Sequence, residues 1–286
     1  IDARAERIDF APFYQSRAFI LKQKKNIDPY SDLERAFELG KEDWRNWRSL
    51  NLYLKQNKPA GEALKMADRA QREFSNNYAV GMDYAEALIN SGLYKQAIEQ
   101  LKGLQVLPFE GASAGRRLYE RAHHYAAWEL LQKRGHKKAS KMAFEEAVKI
   151  LLDSKQWPEN LGVGKPFDPD ERISDYLLAY AYGALGKEKE AKAHWEACAA
   201  YTMQHPERSS ILNLTSLVAL RKIGREGEAR QLLDNLLNSS HGKSVPTRWV
   251  AASFVGDVEK ANQISRANSQ FANSEQVLFL QKIIQP

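Results

Sequence analysis

A chain of 286 residues and 32.6 kDa can form two ordinary domains or one elongated repeat array, and 43% apolar residues exclude a disordered chain. Thirty-six alanines against 16 glycines and 10 prolines favour helix over a turn-rich β protein, and the single cysteine, Cys198, excludes an internal disulfide or a multi-cysteine metal site. The net charge of +6 belongs to residues 1–150, with 26 basic and 20 acidic side chains, because residues 151–286 balance at 16 each.

In chain order, the opening Ile1-Asp2-Ala3-Arg4-Ala5-Glu6-Arg7 has neither an initiator methionine nor the apolar run of a signal peptide. It reads as a mature form or an excised fragment, which leaves the compartment open, a cytoplasmic location being preferred to a periplasmic one. Phe10 to Lys24 reads as a first helix and Ser31 to Leu39 as a second, started by a capping box, Ser31-Asp32-Leu33-Glu34.

From Trp47 onward the chain repeats. Trp47 to Ala70 overlays Met82 to Leu104, with Ala63 and Ala97 separated by 34 residues, the period of a tetratricopeptide repeat (TPR). Later units keep the internal spacing: a glycine, a small residue five positions on, then larger residues at four and seven beyond that. The series is Gly92 with Ala97, Gly135 with Ser140, Gly186 with Ala191, Gly224 with Ala229 and Gly256 with Ala261. Each glycine is expected to end a first helix in the left-handed conformation, and each small residue to let the second helix cross closely. The sixth unit, with Ser265 and Asn268 at positions normally apolar, reads as a terminal cap. After it Ser274 caps a last helix carrying Val277, Leu278, Leu280, Ile283 and Ile284, expected to cover the open core of the final repeat.

The reading is therefore all-α: a right-handed superhelical solenoid of about six or seven TPR-like helix pairs with a C-terminal capping helix, forming a single domain over 1–286. The longest uncharged stretches run 11 or 12 residues, too short for the roughly 20 of a membrane-spanning helix.

Spacing between the small residues stretches to 43 and 51 at two links, which places insertions at 107–117 and 157–172. Both join the second helix of one unit to the first helix of the next and are expected on the same edge, where glycine, aromatic and charged residues suit a ligand or partner. Loops that only pack between repeats are the alternative. The stretches Leu107-Pro108-Phe109-Glu110-Gly111-Ala112 and Trp157 to Pro166, with Asn77-Tyr78-Ala79-Val80-Gly81 upstream, resemble the C-terminal TPR region of a family of bacterial proteins of unassigned function. In that family a galactose-mutarotase-like β-sandwich precedes the repeats. The resemblance implies a carbohydrate-related setting and an assembly or substrate-presenting role. No β-sandwich pattern is present in this chain, so no activity of that domain is carried over.

Catalytic patterns are incomplete. Gly111-Ala112-Ser113-Ala114-Gly115 matches a nucleophile elbow, but Pro108 interrupts the only candidate strand. Gly162-Val163-Gly164-Lys165-Pro166 lacks the first glycine and the hydroxyl residue of a phosphate loop. The six histidines form no i, i+4 pair, so no metal is expected, and no cofactor. Asp168, Asp170 and Glu171 precede a helix, where acids favour its positive end. Glu110 with Glu159 could form a glycosidase pair across the two loops. The basic run Lys133 to Lys141 could face an anion, but no base-reading pattern recurs and nucleic acid is not expected.

The first helices of the pairs should line a concave groove, with Arg45, Arg48, Lys55, Glu86, Tyr125, Tyr176 and Tyr180 at exposed positions, while packing between repeats stays open for the tyrosines. The function expected is a non-catalytic interaction or scaffold module that docks a protein or peptide, or an upstream domain of its own polypeptide. The alternative is a carbohydrate site on the two insertions, built from Phe109, Glu110, Arg116, Trp157, Glu159, Asn160 and Lys165.

Overall fold

The computed structural model describes residues 9–25, 27–108, 112–133 and 137–284. Gly135 of the repeat register and the candidates Phe109 and Glu110 lie outside them. Among the described residues there are sixteen α-helices and no strand, so the described chain is all-α, built from successive helix pairs. It gathers into two compact units, one from 1–123 with 157–164 and the other from 124–156 with 165–286.

The first unit contains α1 (Ala11–Lys25), α2 (Tyr30–Leu39), α3 (Trp44–Asn57), α4 (Ala60–Glu73), α5 (Tyr78–Asn90), α6 (Tyr94–Gly103) and the start of α7 (Ala114–Leu131). Its core packs Phe37 edge-on against Trp47, ring centroids 4.7 Å apart, above Leu50, Met66 and Val80. The expected capping box is not what starts α2. The helix begins at Tyr30, whose N–H donates to Asp28 Oδ1 at 3.0 Å, while Asp32 turns inward and accepts from Arg17 Nε at 2.7 Å. Glu34, the other half of that box, accepts from the Tyr30 hydroxyl at 2.9 Å instead.

The second unit holds the rest of α7 and then α8 (Lys137–Ser154), α9 (Arg172–Ala184), α10 (Glu188–Gln204), α11 (Asn213–Lys222), α12 (Glu226–Asn238), α13 (Val245–Val255), α14 (Val258–Arg266), α15 (Ser269–Ala272) and α16 (Glu275–Ile284). One core runs through it from Ala127 to Ile283.

The repeat register appears as one recurring bond. Gly92, Gly186, Gly224 and Gly256 have φ between 74° and 79°, a region costly for a side chain with a Cβ. That conformation turns the next N–H back onto the helix: Leu93 donates to Leu88 O, Lys187 to Tyr182 O, Arg225 to Leu220 O and Asp257 to Ala252 O, each at 2.9 Å. Ala63, Ala97, Ala191, Ala229 and Ala261 are buried at the helix crossings, and Ser140 is half-buried. Gly92, Gly186, Gly224 and Gly256 thus end the first helix of four pairs, and the alanine five residues on sits where the second helix crosses it.

The last helix departs from expectation in its face and in its reach. Ser274 caps it, accepting from Val277 N at 3.3 Å, and Val277, Leu280 and Ile283 are buried. Leu278, however, is 44% exposed, and Phe279 goes inward instead. The Phe279 ring lies 4.5 Å from Tyr125, so α16 covers more than the final repeat and reaches the first helix of its unit.

Cys198 is enclosed between α9 and α11, 3.4 Å from Thr215 Oγ1, and burial pushes its thiol up to about 12. The thiolate is the nucleophile. Iodoacetamide at pH 8 is therefore expected to leave the native chain unmodified and to label it stoichiometrically in urea, as read by mass spectrometry. No helix among the described residues is long and apolar enough to cross a membrane.

Candidate peptide-binding groove

A concavity of the first unit lies between α3 and α5. Arg45, Arg48, Leu52 and Lys55 recur on α3 at i, i+3, i+7 and i+10, which places them on one face, and Asp83 and Glu86 follow the same rule on α5. The groove holds about 550 Å³, with Trp44 at its rim and Ala63 and Ala87 in its floor. One wall is basic and the other acidic. Arg48 pairs with Asp83 through both carboxylate oxygens, its Nη2 donating to Oδ1 at 3.0 Å, and Lys55 Nζ donates to Glu86 Oε2 at 2.7 Å. Arg121 of α7 adds a contact to Glu86 at 3.7 Å and donates to Asn90 Oδ1 at 3.0 Å.

Burial raises the Asp83 carboxyl above its ordinary range, and the pull of Arg48 and Lys55 only partly offsets it. Arg45 is different. Its guanidinium is largely exposed, lies 4.6 Å over the Trp44 ring, and donates to the helix-capping Asp43 at 3.2 Å. Leu52 is half exposed beside it. The groove thus offers the Arg45 side chain, 68% exposed, and the half-exposed Leu52 beside the Arg48–Asp83 and Lys55–Glu86 pairs.

The other candidates are placed differently. Arg116 is buried, pairs with Glu120 at 2.8 Å and stacks 4.4 Å over the Trp157 ring, so that ring face is occupied by protein rather than open to a sugar. Asn160 is a clasp: its Nδ2 donates to the carbonyls of Leu101 at 3.1 Å and Leu104 at 2.8 Å, and its main-chain carbonyl accepts from Val106 N at 2.8 Å. Asn160 therefore satisfies the carbonyls that end α6. Asn160→Ala is expected to cost about 1–2 kcal/mol in urea unfolding, with lost amide protection at the end of α6.

Glu159 is exposed beside Gln105 and Pro108 at the rim of a shallow depression. Lys165, in the second unit, contacts Glu171 at 3.1 Å. Asp170 holds the buried Arg172, and Asp168 meets His205 Nε2 at 2.6 Å. These acids bind specific side chains, Arg172 and His205, in addition to standing before α9.

Tyr176 was expected at an exposed position and is instead buried, edge-on to Trp195 with centroids 5.0 Å apart, because the second helix of its pair closes over it. Tyr180, one turn on, is half exposed, and Tyr125 is covered by Phe279. Trp44, Leu52 and Asp83 were missed by the sequence reading. The signal for Asp83 was available, since it lies 35 residues after Arg48, one repeat along on the equivalent helix.

No protein-family model matches the sequence, and no curated protein matches it. Among solved structures, a thermophilic TPR protein of Thermus thermophilus is similar at 20% identity, covering 74% of this chain and 99% of its own, with a TM-score of 0.42.

Proposed function

We propose that the chain is a non-catalytic, TPR-like interaction module whose first unit binds an extended peptide segment of a protein partner between α3 and α5. The observation that carries this reading is the accessible pair Arg45 and Leu52, Arg45 held by Asp43, on a face where Arg48 and Lys55 are paired across the groove. A segment with an acidic side chain for Arg45 and an apolar one for Leu52 makes both contacts without breaking a buried ion pair. Selection of a random 12-residue peptide display library on the immobilised full chain tests it. The expected result is an acidic and apolar consensus whose affinity drops about tenfold or more in Arg45→Glu with Leu52→Glu, as hot-spot contacts do. Absence of a consensus, or one that survives both changes, would overturn the reading.

The resemblance to proteins with an upstream β-sandwich gains support from α1. Its outer stripe is Pro12, Ser16, Phe19, Ile20 and Gln23, all exposed, with Phe10 exposed just before it. The end of a repeat array normally presents a polar face, so this apolar stripe suits a preceding domain of the same polypeptide. Where the gene encodes such a domain, it is expected to co-sediment with the chain and to fail to do so with Phe19→Glu.

A further inference from the structure

The second unit carries an open slot of about 640 Å³ between α9, α10 and the end of α11. Its walls are largely apolar. Tyr180 of α9 is 47% exposed, and its ring lies 6.4 Å from that of Trp128. Trp195 of α10, fixed edge-on against Tyr176, and the half-buried Ile223 after α11 complete the lining around it. The floor is Gly183 with Ala191. A Cβ on Gly183 would stand 3.9 Å from Ala191 Cβ, an ordinary contact, and Gly183 does not have the positive φ of the helix-ending glycines. Glycine inside a helix lowers stability relative to alanine. Neither a turn nor a close helix crossing asks for it here, and its missing side chain leaves room over the floor between the two aromatic rings.

Charge at the rim is uneven. Lys222, exposed in the last turn of α11, makes no ion pair among the described residues, and Lys192 approaches Glu196 only to 3.9 Å. Glu188 is the acid that lines the slot. We propose that this slot binds an aromatic side chain of a protein partner, followed within one or two residues by a carboxylate that pairs with Lys222. Walls built from Tyr180 and Trp195 favour a ring over an aliphatic chain, because aromatic pairs gain edge-to-face and offset contacts beyond the area they bury. An unpaired cation at the rim selects an acid beside that ring and turns away a base. The slot lies wholly in the second unit, and the proposal does not depend on the reading given to the α3 and α5 groove.

The test disables that groove first. A random 12-residue display library is selected on the full chain carrying Arg45→Glu and Leu52→Glu, and the consensus peptide is synthesised with a label for fluorescence anisotropy. The expected consensus is an aromatic residue with Asp or Glu one or two positions on. Gly183→Leu fills the slot and should weaken this peptide at least about tenfold. Its urea midpoint should stay at or above that of the parent, since leucine favours a helix over glycine. Lys222→Glu, a surface change, should weaken the peptide about fivefold or more, and that loss should shrink when the acid of the peptide becomes its amide. A selection without a consensus, or a consensus lacking the aromatic and acidic pair, overturns the proposal. So does a peptide that binds Gly183→Leu or Lys222→Glu as tightly as the parent. If Gly183→Leu fails to fold, Tyr180→Ala takes its place on the same terms. None of these results bears on the α3 and α5 groove, whose residues are already altered.

Discussion

Replacing Arg172 with leucine is expected to lower the unfolding free energy of the second unit by about 3–5 kcal/mol. Its guanidinium is 2% exposed and donates to Thr202 Oγ1 at 2.8 Å, Asn213 Oδ1 at 2.7 Å and both oxygens of Asp170 at 2.8 and 2.6 Å, with the Tyr201 ring 4.9 Å away. Those bonds tie the end of the second insertion to α10 and to the start of α11. Leucine fills only the inner part of the volume and leaves Asn213 and Thr202, both fully enclosed, without the cation that donates to them. Arg172→Lys keeps the charge yet cannot reproduce the planar fork, so it should recover only part of the loss. Urea unfolding followed by amide exchange in α10 and α11 measures both, and a loss under about 1 kcal/mol for the leucine variant would contradict a structural role.

The second large effect tests the repeat geometry. Ala97 is fully enclosed on α6, where that helix crosses α5. The crossing is tight at its other end as well, since a Cβ on Gly81 would stand 2.3 Å from Leu104 Cδ2. Ala97→Leu adds three carbons to a site with no space and should cost about 1–3 kcal/mol through forced rotamers and helix separation. Gln96→Leu, one residue earlier on the exposed side of the same helix, should stay within about 0.5 kcal/mol. Equal effects at the two positions in urea unfolding would show that the small residue does not mark the crossing.

What was legible in the sequence and what was not divides along a physical line. Helix-ending glycines and close-crossing alanines are local requirements of backbone and sterics, so they leave a spacing that can be read without coordinates. Insertions are legible as breaks in that spacing, but the direction of their side chains is not. Asn160, Arg116 and Trp157 have the chemistry of a ligand site, yet they spend it on α6 carbonyls and on each other. Nothing periodic says which way an irregular segment faces.

Within helices the same gap appears at single positions. Tyr176 and Tyr180 share a face by periodicity, but Trp195 from the next helix covers one and not the other. Leu278 and Phe279 are neighbours of similar hydrophobicity, and only the return of α16 to Tyr125 decides that the phenylalanine goes in. At the start of α2 the Tyr30 hydroxyl takes the Glu34 carboxylate that the expected box needs, and Asp28 accepts from the Tyr30 N–H.

The groove account meets its most direct test in hydrogen exchange of the full chain, with and without the tightest peptide recovered from display. Protection gained on the faces of α3 and α5 that carry Arg45, Leu52 and Glu86 is the predicted result. Protection confined to α4 and α6, or to the segments around Pro108 and Glu159, would contradict it.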